Sequence, residues 1–351
     1  RKNTRSIPEK IGYGPMRVSA GLISLACLPI AICGCGSMDE TANEDYKIIQ
    51  VGQSCTKPDW VPDSSAITAI GTDFDWVPHG SSQRQRYKWL LNFQDTNGLA
   101  TNKQVRLSFN AVAYHSWSNG SGGNRVVYTE QVSESEYRLL RLDDQPGTPV
   151  SIFESSEIIK WPSWTADNSR VAFLNPWDSN GIITVNSDGG SEPETIPNDQ
   201  GWEGVSFCRC AVDGGYVIYI ANIGGIDNVY KIDLAGGAST RLTDYIDPLI
   251  QIHSAEISPD GATLAYTSQS FENPSYSQPV IYLKSLPDGE PKAIVSNLKR
   301  PAKGEFHSWM FLAWAPDGMS IAAESVNSSK YRLTGTVNFT SAIYVVPIRS
   351  F

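Results

Sequence analysis

Short apolar runs alternate with clusters of Gly, Pro, Asp and Asn along most of the chain, and no stretch after residue 35 carries the apolar period of a long helix. Runs such as Arg170-Val171-Ala172-Phe173, Ile182-Ile183-Thr184-Val185 and Tyr216-Val217-Ile218-Tyr219 are apolar on successive positions rather than alternate ones. That pattern predicts strands covered on both faces. The punctuation between runs, typified by Pro259-Asp260-Gly261 and Pro316-Asp317-Gly318, predicts tight turns in which Asp bonds nearby backbone and Gly takes a positive φ.

The pattern repeats. Trp314-Ala315-Pro316-Asp317-Gly318 leads to Ile321-Ala322 and then to Ile343-Tyr344-Val345; Ile257-Ser258-Pro259-Asp260-Gly261 leads to Leu264-Ala265-Tyr266 and Ile281-Tyr282-Leu283. Trp164-Thr165-Ala166-Asp167-Asn168 opens a third unit. Weaker copies begin at Cys210, with Asp213 in its turn, at Trp117, and at Trp60, with Asp63 in its turn. The anchors at 60, 117, 164, 210, 257 and 314 are spaced 57, 47, 46, 47 and 57 residues apart, a period that signals stacked structural repeats.

One such four-stranded sheet cannot bury both faces alone; stacked radially, each is covered by its neighbours. The expectation is an all-β, six-bladed β-propeller over residues 46–351, with residues 46–51 supplying the strand that the last blade lacks and so closing the ring. The units Trp-Ser-Pro-Asp-Gly, Ile-Ala-Phe, Ile-Tyr and Asp-Gly-Gly that these copies approximate resemble the repeats of TolB-like propellers. In this reading Asp63, Asp167, Asp213, Asp260 and Asp317 are structural turn residues.

The first 35 residues follow a different pattern. Residues 18–32 form an almost uncharged apolar run preceded by Met16 and Arg17, short for a bilayer span and of the length of a signal-peptide core. Residues 1–15 precede that methionine and read as an upstream extension. The run ends in Ile32-Cys33-Gly34-Cys35, which resembles the lipobox of bacterial lipoproteins. The resemblance implies cleavage before Cys35 and acylation of its thiol. With Gly36 and Ser37 following instead of aspartate, it also implies the periplasmic face of the outer membrane in a Gram-negative host. The expected organisation is extension and signal peptide over 1–34, tether over 35–45, and propeller over 46–351.

Composition sharpens this picture. Gly 29, Pro 21, Trp 10 and Tyr 15 with 19% charged residues suit many short strands. After removal of residues 1–34, 23 basic and 36 acidic side chains remain, a formal charge of about −13. That surface repels polyphosphates and has no basic cluster with interleaved aromatics, which argues against nucleic acid as a partner. It leaves room for a cationic ligand or a divalent ion. With Cys35 acylated, Cys55, Cys208 and Cys210 are an odd set that cannot pair completely. Cys208 and Cys210, two apart on a strand, read as small buried apolar residues.

Candidate chemistry is sparse. The sequence has no Gly-x-Ser-x-Gly, phosphate loop or HExxH motif. His115, His253 and His307 lie two, four and seven residues before their anchors, with Gln251 near His253. In outline this is similar to propeller-type oligogalacturonate lyases, and the resemblance implies a divalent metal on those residues. Their unequal offsets weigh against it, as does the absence of the paired histidine motif. His79, Asp73-Phe74-Asp75 and Asp143-Asp144 read as solvated loop groups. The insertions at 73–86, 271–278 and 297–308 are rich in aromatics and are candidates for specificity. The expectation is therefore a non-catalytic binding or scaffold lipoprotein of the cell envelope without a cofactor, engaging a protein or glycan through its loops. The alternative from another class is a metal-dependent polysaccharide lyase.

Overall fold

The computed structural model describes residues 47–49, 56–79, 82–95, 100–108, 110–118, 123–143, 147–175, 181–197, 201, 204–212, 214–270, 279–295, 306–330 and 337–348. Cys35, Cys55, Asp213 and residues 271–278 and 297–305 lie outside them.

After a short strand β1 (Lys47–Ile49), five four-stranded sheets follow in chain order. The first comprises β2 (Thr56–Trp60), β3 (Ala66–His79), β4 (Ser82–Asp95) and β5 (Ala100–Ser108). The second has β6 (Ala111–Trp117), β7 (Val126–Ser133), β8 (Glu136–Leu142) and β9 (Val150–Ser155). The third has β10 (Lys160–Trp164), β11 (Arg170–Leu174), β12 (Gly181–Asn186) and β13 (Glu194–Pro197). The fourth has β14 (Gly204–Cys210), β15 (Tyr216–Ile223), β16 (Ile226–Asp233) and β17 (Thr240–Arg241). The fifth has β18 (Ile250–Ile257), β19 (Thr263–Ser270), β20 (Pro279–Ser285) and β21 (Lys292–Val295). The last strands, β22 (Phe306–Trp314), β23 (Ser320–Lys330) and β24 (Val337–Pro347), share a sheet with β1, which pairs antiparallel to β24 with Ile48 opposite Tyr344. This is an all-β propeller.

The doubly apolar strands explain the stacking. On β11, Val171 and Phe173 join a core with Val127 and Leu139 of the preceding sheet, while Ala172 and Leu174 join one with Cys208, Val217 and Tyr219 of the following sheet. Alternate side chains of one strand thus serve two interfaces, because successive Cβ atoms point to opposite faces. A cluster of the same kind packs Ala313, Ala322 and Ile343 against Trp60, Ile67 and Ala69. Cys208 and Cys210 are buried free thiols in the C-terminal half of β14; burial pushes Cys208 well up and Cys210 to about 12, so both behave as small apolar fillers.

The turns are built by the acidic residues that the repeat marks. Asp63, Asp167, Asp260 and Asp317 accept from the backbone N–H two residues on, at 2.8–3.0 Å. The intervening position takes a positive φ in each: Ser64 at 58°, Asn168 at 57°, Gly261 at 73° and Gly318 at 72°. The Thr165 hydroxyl, followed by the Ser169 bonds, holds the Asp167 carboxyl down at about 2.

Two expectations need correction. Residues 73–86 are not a loop insertion: β3 and β4 extend the hairpin, in register from Ala66 opposite Asp95 to His79 opposite Ser82. The alternation Asp73-Phe74-Asp75-Trp76 is a strand pattern of period two. Likewise residues 306–308 belong to β22, where Phe306 pairs with Ser328 and His307 with Asn327.

Candidate ligand site at the propeller axis

The first strand of every sheet contributes to one cavity, lined by Lys57, Tyr114, His115, Trp161, Phe207, Cys208, Arg209, Glu256 and Phe311, with Pro58, Pro162 and Leu312 completing the wall. Its open space is about 30 Å³, room for about two water molecules. The lining follows the repeat. Three residues before the anchors stand Lys57, Tyr114, Trp161, Phe207, Ser254 and Phe311; one residue before them stand Asp59, Ser116, Ser163, Arg209, Glu256 and Ala313. Every one of these strands is irregular just before its anchor, with register shifts at 56/59, 112/115, 160/163, 205/207, 252/254 and 309/311. Such bulges re-aim side chains. At Lys57 and Trp161 the shift is accompanied by a left-handed backbone, φ 58° and 55°.

The set three residues before the anchors holds four aromatic rings and a single cation. Trp161 packs against Tyr114, Phe207 and Phe311 at centroid distances of 4.7, 4.9 and 5.1 Å. The Lys57 ammonium lies 3.9 Å above the Tyr114 ring and 5.7 Å from Phe311, and it donates to the Ala113 carbonyl. Its own backbone N–H donates to Glu324 Oε2 at 2.9 Å. Burial lowers the Lys57 amine to about 8 against the pull of Glu324, with Lys160 adding to the lowering. Burial raises Glu324 to about 7.

The second layer is ionic. Arg209 donates to Asp59 from Nη2 at 2.8 Å and to Glu256 from Nε at 3.0 Å. Burial alone would lower the guanidinium, but the two carboxylates hold it above its ordinary value. Glu256 is pushed up to about 8, by burial first and by the Asp59 charge beside it, against the opposing pull of Arg209. Asp59 also accepts from the Trp117 N–H at 3.0 Å, and Ser163 accepts from the Cys210 N–H at 3.0 Å. The same position in two repeats thus ties each sheet to the anchor of the next.

His115 is neutral, its imidazole lowered by burial to about 4. The single Thr68 hydroxyl proton goes to the Asp59 carbonyl at 3.1 Å, while Thr68 accepts from Trp117 Nε1 at 2.9 Å. The 3.0 Å contact between Thr68 and His115 Nε2 is then a bond donated by the imidazole. Its Nδ1 is left as a bare acceptor without a partner in the cavity wall.

The other metal candidates are placed differently. Neither His253 nor Gln251 lines the cavity; His253 is bonded to Gln269 and lowered by burial, and Gln251 is exposed. The His307 side chain lies outside the described residues. Among the described residues, no group of three His, Cys, Asp or Glu side chains is arranged to hold a metal ion. The offsets of the histidines from their anchors differ, whereas the cavity residues share theirs; reading equal offsets from the six anchors is the signal that finds Lys57, Tyr114, Trp161, Arg209 and Glu256.

Fold and axis together define a β-propeller structurally similar to TolB propeller domains. No protein-family profile matches the chain, and none of the curated proteins does. Among solved structures, the putative TolB from Agrobacterium tumefaciens is similar over 86% of this chain and 92% of its own, with 16% identity and TM-score 0.58. TolB from Acinetobacter baumannii matches 82% of this chain at 16% identity and TM-score 0.53, this chain covering 64% of that one. Oligogalacturonate lyase from Vibrio parahaemolyticus matches 88% of this chain and 92% of its own, at 14% identity and TM-score 0.51. At these identities the likeness is one of fold.

Proposed function

We propose that the chain is a six-bladed propeller closed by strand β1, displayed at the bacterial cell envelope as a Cys35-acylated lipoprotein, and that it binds a protein or glycan through its loops without catalysing a reaction. Closure is supported by the pairing of β1 with β24 and by the Trp60 indole, which donates to the Ala313 carbonyl at 2.9 Å as Trp164 donates to Ser116 between consecutive sheets at 3.1 Å.

The observation that carries the non-catalytic reading is the filled axis. The aromatic layer and the Arg209 ion pairs leave about 30 Å³, too little to enclose a sugar ring. Binding then falls to the rims, where loops on a rigid scaffold present varied side chains. Elemental analysis of the propeller after incubation with manganese and calcium separates this from the metal-dependent lyase. The expected result is no bound metal and no unsaturated product from pectin fragments. One ion per chain, lost in His253→Ala, with product absorbance, overturns the binding reading. Palmitate-analogue labelling that is lost in Cys35→Ala is expected of the anchor, since three acyl chains hold a protein with an order of tens of kcal/mol.

A further inference from the structure

The geometry points to a carboxylate-binding site at the propeller axis, in which Lys57 receives the carboxylate of a small organic acid whose apolar tail rests on Tyr114, Trp161 and Phe311. This site is distinct from the rims proposed above and stands or falls independently of them.

Four observations converge on it. First, Lys57 is a cation in an apolar setting with no carboxylate in contact: its ammonium meets the Ala113 carbonyl and two aromatic rings, whereas Glu324 is engaged by the Lys57 backbone N–H. Among the described residues no salt bridge joins Lys57 or Lys160 to an acid, although Arg138, Arg141, Arg170, Arg209 and Arg241 each have one. Second, the charge of Lys160 opposes that of Lys57, which adds to the cost of the buried ammonium in a strongly acidic protein. An anion beside Lys57 offsets both the desolvation and the repulsion. Third, the cavity is of carboxylate-group size, and Tyr114, Trp161 and Phe311 around it are only partly buried, leaving ring surface for a tail. Fourth, His115 Nδ1 is an unpartnered acceptor in the same wall, in a side chain 6% exposed, so the cavity is built for a hydrated or hydroxyl-bearing group as well as for charge. Arg209 is not available to the ligand, being held by Asp59 and Glu256.

The charges facing Lys57 set the pH dependence. They are Glu324 on β23, Lys160 on β10, Arg209 on β14, Glu256 on β18, neutral His115 on β6 and Asp59 on its own strand β2. As pH falls through about 8 and then about 7, Glu256 and Glu324 take up protons and Lys57 becomes charged, so anion binding strengthens. As pH rises, the two carboxylates ionise, Lys57 discharges, and binding is lost.

Isothermal titration of the propeller with benzoate, acetate, benzamide and inorganic phosphate tests the site. Benzoate is expected to bind at about pH 6.5 and about tenfold or more weaker at about pH 8.5, as loss of one charge-assisted bond implies. Acetate should bind more weakly for want of a tail, and the neutral isostere benzamide should not bind measurably. Lys57→Met should weaken benzoate at least about tenfold and Lys160→Met severalfold, while Lys57→Arg retains binding. Melting curves report whether each variant folds; if Lys57→Met does not, Lys57→Arg and Lys160→Met decide. Equal binding of benzamide and benzoate, phosphate binding as tight as benzoate, unchanged affinity in folded Lys57→Met, or no heat with benzoate at the lower pH would each overturn the assignment.

Discussion

Arg209 donates to Asp59 at 2.8 Å across 150 residues of chain, joining the first strand of the fourth sheet to that of the first. With Glu256 on its other side, one guanidinium serves two buried carboxylates from two further sheets. Replacing Arg209 by Met should therefore destabilise the fold by ~3–5 kcal/mol, because it strands two acids rather than removing one favourable pair. The triple variant Arg209→Met, Asp59→Asn, Glu256→Gln should recover most of that loss. Urea unfolding measures both; a single variant within about 1 kcal/mol of the parent would show that the layer is solvated.

The same layer predicts how stability varies with pH. Glu256 has a folded value of about 8 against an ordinary value of 4.5, so between these limits the unfolded chain releases a proton that the folded one keeps. Its contribution is full below about 4.5 and is lost as pH rises through about 8. His115 works the other way, since its folded value of about 4 lies below the ordinary 6.5, and stability rises with pH between those two values. Above that window Glu256→Gln should gain on the parent as pH increases toward 8. Melting temperatures of the two proteins that stay parallel from pH 6.5 to 8 would remove Glu256 from the account.

Much of the fold was legible because the repeat is written in residues with a single structural use. Asp63, Asp167, Asp260 and Asp317 close their turns with the same bond to the backbone two residues on, and a residue able to take a positive φ follows each of them. The long β3–β4 hairpin was misread because Asp73 and Asp75 suggested a polar loop, when their alternation with Phe74 and Trp76 is itself a strand signature. The axis was missed for a different reason: Lys57, Trp161 and Arg209 have no motif in common. What unites them is distance from an anchor, and the bulge that turns Lys57 and Trp161 inward is a backbone feature that residue identity does not announce.

The turns offer a test of backbone conformation separate from packing. Gly318 has φ 72° and only Pro259, at 3.8 Å, near a Cβ built on it, whereas Gly204 has open space and no left-handed backbone. Gly318→Ala should cost ~1–2 kcal/mol through conformation alone. Gly204→Ala should be neutral or stabilising by about 0.5 kcal/mol, since it restricts the unfolded chain. Equal effects of the two substitutions in thermal melts would mean that the turn relaxes to accept a side chain.

The proposed closure of the ring by β1 predicts an asymmetry between two N-terminal truncations. Lys47, Ile48 and Ile49 pair with Val345, Tyr344 and Ile343, and their removal leaves the outer edge of β24 without backbone partners. Each lost ladder bond is worth about 1 kcal/mol net, so a chain lacking residues 45–52 should be less stable by ~2–4 kcal/mol and melt several degrees lower. It should also self-associate, because an unpaired edge strand is a template for another chain. A chain lacking only residues 36–44 keeps every described pair and should match the parent in both respects. Melting curves and size-exclusion profiles of the two truncations read the difference directly. Indistinguishable behaviour would mean that the Trp60 and Ala313 contact and the core around it hold the first and last sheets together without the added strand.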